Sequence, residues 1–198
     1  MQTDETPLSS NDFERIGQLH VESIDDSLPA LLGARFTCGL YRFFSASEHE
    51  LLLVERFEGR IEGACVVSFA PATLERRIAR ATFWSLLPAA ARAVLTRAEF
   101  CALLLHVLRG PTGDEKAPEI TYVFVSPALQ GRGLGKRLVE RVDAALSERE
   151  VSGYHVKTLD DPANRALRFY EQNGFQRVGL RKEGGRSFVE FHRQLSTR

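Results

Sequence analysis

VFVSPALQGRGLGKRLVERV, Val123 to Val142, is the stretch that decides how this chain is read. An apolar run stops at Pro127, Gly131, Gly133 and Gly135 follow at alternate positions, and a helix-like run begins at Leu134. A glycine-rich turn between a strand and a helix does two physical jobs. Glycines accept backbone angles, and a closeness of ligand, that a Cβ forbids. The free amides, with the helix N-terminus behind them, form an anion pocket. Arg132, Lys136 and Arg137 add positive charge, so a pyrophosphate is the natural occupant.

Two common phosphate loops fail against this stretch. A GxxxxGK[ST] loop would place its first glycine at Gln130 and its hydroxyl residue at Arg137. A GxGxxG dinucleotide turn would need glycine at Lys136. What remains is Gln130-x-x-Gly133-x-Gly135, directly after a strand that exits through Val-Ser-Pro.

Outward from this turn, the composition sets limits. The 198 residues suit one domain, able to bury roughly 70% of its unfolded surface. With 26 acidic and 26 basic side chains the formal charge is zero, so nothing global favours nucleic acid or an acidic membrane. Cys38, Cys65 and Cys101 lie far apart without a CxxC pair, and the five histidines show no metal-ligand spacing. No metal is expected. The N-terminus is polar and acidic, unlike a secretory signal. Pro88, Arg92, Arg97 and Glu99 interrupt the most apolar segment, Ala81 to Leu108, before it reaches the ~20 apolar residues of a spanning helix. A soluble, cytoplasmic protein is the expectation.

Periodicity places helices from Ser10, capped by Asn11 or Ser10, and from Leu28 to Ser45, with Leu31, Leu32, Phe36, Leu40, Phe43 and Phe44 inward. Strands near Glu50–Phe57 and Arg60–Phe69 flank a Glu58-Gly59 turn. Residues 72 to 109 return to helical spacing. EITYVFV, Glu119 to Val125, reads as a strand buried on both faces. The helix after the glycines buries Leu134, Leu138, Val142 and Ala145, and GYHVKTL forms the next strand. A helix capped by Asp161, with Pro162 in its first turn and Gly174 at its end, precedes a terminal hairpin around Gly184-Gly185. This order predicts an α/β fold with a mixed sheet.

The Gln130–Gly135 pattern resembles the coenzyme A signature of the GCN5-related N-acetyltransferase (GNAT) superfamily. A second segment, NRALRFYEQNGF from Asn164 to Phe175, is similar to that family's N-x-x-A-x-x-F-Y-x-x-x-G-F motif. The resemblance covers about the last 80 residues by motif and the earlier part by element order only. It implies a mostly antiparallel central sheet flanked by helices, in a single domain over residues 1–198. It also makes residues 72–109 a helical insert between the third and fourth strands of the fold, open to a roof over the acceptor, a homodimer contact, a membrane-surface helix or plain core. Arg76, Arg77 and Arg80 within it are either contacts for acidic groups or a solvated face.

The activity implied by the resemblance is transfer of an acetyl group from acetyl-CoA to a primary amine in a ternary complex. The backbone of Val123, Phe124 and Val125 would pair with the pantetheine arm. The amides of Gln130, Gly131, Arg132, Gly133, Leu134, Gly135 and Lys136 would hold the pyrophosphate, and Asn164 would touch the CoA arm from the other side. An alkyl ammonium has a pKa near 10.4, so a base must take a proton before the amine attacks. Glu119 matches a position that serves as base in several relatives; the alternatives are a solvated strand end or an ion pair with Lys116, with a water chain doing the work. Glu62, Asp160 and Asp161 are lesser candidates. Tyr170 matches the position of the acid that protonates the departing thiolate, and the alternative is a core aromatic. The Val125 amide would stabilise the oxyanion. The expected acceptor is a small-molecule amine, with a protein N-terminus or lysine, or a non-catalytic CoA sensor, as the alternatives.

Overall fold

The computed structural model describes residues 7–25, 27–94, 117–183 and 185–195, and the side chains of all of these except 83–94. A six-stranded sheet in the order β1-β2-β3-β4-β6-β5 carries the molecule, with β1 Glu50–Phe57, β2 Arg60–Ser68, β3 Glu119–Val125, β4 Gly153–Leu159, β5 Gln176–Glu183 and β6 Arg186–Gln194. Every neighbouring pair is antiparallel except β3 and β4. The mixed, mostly antiparallel sheet expected from the sequence is therefore present.

Helices cover both faces. On one lie α1 (Ser10–Ser23), α2 (Leu28–Leu32) and α3 (Ala34–Ala46), whose Ile16, Leu19, Leu40, Tyr41 and Phe44 pack on Ile61, Ala64, Val66 and Phe124. On the other lie α5 (Leu134–Ser147) and α6 (Arg165–Gln172), where Leu138, Val142, Leu146 and Tyr170 meet Cys65, Val67, Ile120, Val156 and Phe191. The sheet separates two apolar cores. Asp143 of α5 accepts from Tyr154 at 2.8 Å and from Arg193 Nη2 at 2.6 Å, which ties that helix to β4 and β6.

Three boundaries differ from the sequence reading. The α1 cap is Ser9, one residue earlier than expected, because Ser9 and Asp12 bond each other's backbone amides reciprocally. The single helix expected over Leu28–Ser45 is broken at Gly33, whose φ of +92° no helix contains, and Leu31 is left 41% exposed. The cap of α6 is Asn164, not Asp161, so Asp161 and Pro162 sit in the preceding turn.

α4 (Pro71–Val94) opens the expected insert. Counted along this chain it follows the second strand and precedes the third, rather than joining a third to a fourth, because only β1 and β2 come before it. Arg77 of this helix donates to the wholly buried carboxylate of Glu50, Nη1 to Oε2 at 2.7 Å, and to Ala70 O at 3.0 Å. That arginine is an anchor, not a ligand contact. The rest of the insert, with Arg97 and Arg109, and Lys116 beyond it, lies outside the described residues.

Candidate active site

β3 and β4 pair at only two positions, Glu119 with His155 and Ile120 with Val156. Beyond these the strands diverge, and a cleft of about 1230 Å³ opens between them. A bulge shapes one wall. Val66 faces Tyr122 and Val67 faces Ile120, so Thr121 is an extra residue in β3. It reverses the inward–outward alternation, and Ile120 and Val123 join the α5 side while Tyr122 and Phe124 join the α1 side. After Glu119, EITYVFV is nearly all apolar or β-branched, with no polar alternation to betray this switch.

The amides of β3 can be oriented from one bond. Ser126 N–H donates to Glu62 O at 2.8 Å, toward β2. Successive strand amides point to opposite edges. The Val125 amide, and the Val123 amide two residues earlier, therefore face the cleft, while that of Phe124 faces β2.

At the open end of β3 lies the glycine turn. Gly131 and Gly133 have φ of +80° and +81°, and Gly133 is the left-handed residue from which α5 starts. The first intrahelical amide bond is Arg137 N–H to Gly133 O, so the amides of Leu134, Gly135 and Lys136 have no partner within the helix. Gly135 serves a separate purpose. A Cβ there would lie 3.2 Å from the Phe169 ring, so its bare backbone lets α5 and α6 close around the cleft. Gln130, Gly131, Gly133, Leu134, Gly135, Lys136 and Asn164 all line it.

The basic residues divide differently from the sequence reading. Arg132 is not among the residues lining the cleft; its amide bonds Leu129 O at 3.3 Å and its guanidinium lies over Phe57. Arg137 is drawn to Glu55 at 2.5 Å. Lys136 faces the cleft, 3.7 Å from Glu140. Asn164 is fully engaged: its amide nitrogen donates to Thr158 Oγ1 and Leu159 O, both at 2.8 Å, and its oxygen caps α6. It holds the end of β4 to the start of α6.

The proposed acid and base lie on different elements, α6 and β3. Tyr170 lines the cleft from α6 amid the rings of Phe169, Phe175 and Phe191. Burial holds its hydroxyl well above the ordinary tyrosine range, so it keeps its proton. Glu119 sits at the closed end, six residues and about 20 Å of extended strand from Val125. Its carboxylate is 3.4 Å from Lys157 Nζ, which also donates to Glu183 at 3.3 Å. The ion-pair partner seen is thus Lys157 of β4, and the expected Lys116 lies outside the described residues. Glu62, a lesser candidate, is taken by Arg15 at 2.7 Å.

Another lip of the cleft comes from Ser23, Ile24, Asp25, Ser27 and Leu28, together with Tyr122, within the Ser10–Ser45 region that carries no recognisable substrate code in the sequence. Arg186 and Phe188 of β6 complete the mouth. Among the described residues no group of three or more His, Cys, Asp or Glu is placed to hold a metal ion, and no helix is long and apolar enough to cross a membrane.

The parallel strands part after two pairs, and a glycine turn and a helix N-terminus lie at the open end of the cleft between them. The acetyltransferase (GNAT) domain model matches residues 97–177. Over those residues, fewer than half of the chain, the sequence is similar to the GNAT superfamily. A curated relative, the N-alpha-acetyltransferase RimI of Mycobacterium tuberculosis, is 45% identical over 65 residues, which is 32% of this chain and 38% of that protein. The chain thus matches well under two thirds of that relative's length. Among solved structures, an aminoglycoside 6'-acetyltransferase type Ii superposes with a TM-score of 0.60 at 10% identity, covering 98% of this chain and 97% of that one. A Bacillus anthracis structure in complex with acetyl coenzyme A superposes with a TM-score of 0.51 at 13% identity, covering 79% and 68%. At such identities the likeness is one of fold.

Proposed function

We propose that this chain is a member of the GNAT superfamily and, as one domain, uses acetyl-CoA to acetylate a primary amine of a small molecule by direct attack in a ternary complex. One observation carries the reading: the β3–β4 gap has the Val125 amide aimed into it and the glycine turn at its end. Acetyl-CoA supplies an activated thioester. The residues present fit it, since helix-start amides and two left-handed glycines form an anion cradle, and Gly135 leaves the room that a Cβ would fill. The Leu134, Gly135 and Lys136 amides would hold the pyrophosphate, and the unpaired edge of Val123 to Val125 the pantetheine arm.

The protein then has three tasks. The Val125 amide donates to the carbonyl oxygen as negative charge develops there. Glu119 receives the amine proton through water, because the strand puts too great a distance between it and Val125 for direct transfer. Tyr170, protonated by virtue of its burial, donates to the departing thiolate. Cys38 and Cys65 are free thiols, in keeping with a reducing, cytoplasmic setting.

A second acceptor class, a peptide N-terminus, is favoured by the RimI match alone. Calorimetric titration with acetyl-CoA, then a free-thiol assay over small amines and short peptides, tests both. No binding at millimolar acetyl-CoA overturns the reading. Binding without turnover of any amine points to a sensor, and turnover confined to peptides points to the second acceptor class.

A further inference from the structure

The chemistry above makes no use of His20, yet this side chain is wholly buried. Burying an imidazole is costly unless both ring nitrogens find partners. Here both do: Nδ1 lies 2.8 Å from Tyr41 Oη and Nε2 lies 2.8 Å from Ser27 Oγ. The ring packs edge-on against Tyr122 and Phe124 of β3, at 4.9 and 5.4 Å between centroids. Burial lowers its pKa to about 4, so at neutral pH one nitrogen donates and the other accepts.

Ser27 is the telling partner. Its hydroxyl also accepts the Ala30 amide at 3.2 Å, as the N-cap of α2, and its own amide donates to Ile24 O at 3.2 Å. A helix as short as Leu28–Leu32 has no stability of its own and takes its position from such ties. On the other side, Ser23 Oγ reaches Val125 O at 3.4 Å. The segment facing the cleft across from the glycine turn is therefore fastened at both ends, to the α1 core by His20 and to the oxyanion strand by Ser23.

We propose that His20 is a positioning residue for the acceptor: through Ser27 it fixes Ile24, Asp25 and Leu28 at the lip of the cleft and so sets acceptor binding without touching the reacting atoms. This rests on the acetyl-transfer reading, since it takes the lip opposite the CoA cradle as the entry for the amine. Asp25, exposed on that lip, would be the group whose carboxylate meets an incoming ammonium.

Two isosteric variants separate this role from plain core packing. In His20→Asn the amide nitrogen takes the place of Nδ1 and keeps the Tyr41 bond but loses Ser27. In His20→Gln it takes the place of Nε2 and keeps Ser27 but loses Tyr41. Both leave a similar void, so both lose stability; Ser27→Ala cuts the tie with the core intact. The readouts are hydrogen exchange at the Ser27 and Ala30 amides, the acetyl-CoA Kd, and KM for n-butylamine and the tripeptide Ala-Ala-Ala. Ser27→Ala and His20→Asn should speed exchange at these amides and raise acceptor KM by about fivefold to tenfold, the worth of one hydrogen bond. The acetyl-CoA Kd should stay within about twofold, and His20→Gln should follow the parent in exchange and KM. Unchanged exchange and KM in Ser27→Ala, or shifts in both His20 variants that simply track lost stability, would overturn the proposal. Failure to acetylate either amine with acetyl-CoA binding intact would count against the transfer reading instead, and the exchange rates alone would then uphold or overturn the tie.

Discussion

Gly135 of α5 faces Phe169 of α6 so closely that a Cβ would sit 3.2 Å from one ring carbon and 3.3 Å from the next. The two signature glycines of the turn therefore differ in kind. Gly133 has open space around it and is required for its φ of +81°, whereas Gly135 has ordinary helical geometry and is required for clearance. Gly135→Ala should push Phe169 into the cleft and weaken acetyl-CoA binding about tenfold, with Phe169→Leu in the same chain restoring most of the loss. Gly133→Ala should cost about 1 kcal/mol of stability through backbone strain, and Phe169→Leu should not relieve it. Calorimetry and urea melts of the single and double variants read both effects.

His20 links stability to pH in a definite direction. Its pKa falls from 6.5 in the unfolded chain to about 4 in the folded one because the ring is buried. Between these values the unfolded state binds the proton and the folded state does not, so stability is fully present above 6.5 and is lost as pH falls toward 4. The loss reaches about 3 kcal/mol, on the order of 1.4 kcal/mol per pH unit. Below 4 this contribution flattens out. Urea midpoints from pH 7 to 4.5 should fall less steeply in His20→Gln, and equal slopes in parent and variant would sink the linkage.

The motifs that could be read from the chain are those whose physics is local. A left-handed glycine, a helix N-terminus and a buried strand each leave a mark within a few residues, and so the cleft lining from Gln130 to Gly135 and from Asn164 to Tyr170 lies in segments with a readable local pattern. The rest of the lining does not, since it is made by contacts between separate segments: His20 with Ser27 and Tyr122, Lys157 with Glu119, Arg186 of β6. His20 occupies one position of an apolar helical stripe, where periodicity counts it as core. The Thr121 bulge hides for another reason. A strand that is apolar on both faces gives no alternation for an extra residue to disturb.

Arginines close together in sequence have unlike roles on α4. Arg77 neutralises Glu50, whose side chain is wholly buried, while Arg76 and Arg80 are exposed. Arg77→Met leaves a buried carboxylate without its charge partner and should destabilise the fold by about 3 kcal/mol. Arg76→Met and Arg80→Met should each stay within about 0.5 kcal/mol of the parent. Replacing both Glu50 and Arg77, by Gln and Met, should recover much of the loss, which a double-mutant cycle on thermal melts would show.

Because Glu119 and Tyr170 are assigned different proton transfers in the proposed reaction, proton removal and leaving-group protonation should fail separately. Glu119→Gln takes away the proposed acceptor of the amine proton and should lower turnover about a hundredfold at neutral pH. A large part of that loss should be recovered at high pH, where the free amine is present without help. Tyr170→Phe removes a proton donor that burial keeps protonated through neutral pH, and the thiolate is a fair leaving group, so the loss should be nearer tenfold and should persist at high pH. Neither change touches the glycine turn, so the acetyl-CoA Kd should hold in both. Rates of thiol release from pH 6 to 10 separate the two curves. Parallel profiles would mean that one group serves both steps, and a Tyr170→Phe chain with full turnover would return that side chain to the apolar core it shares with Phe175 and Phe191.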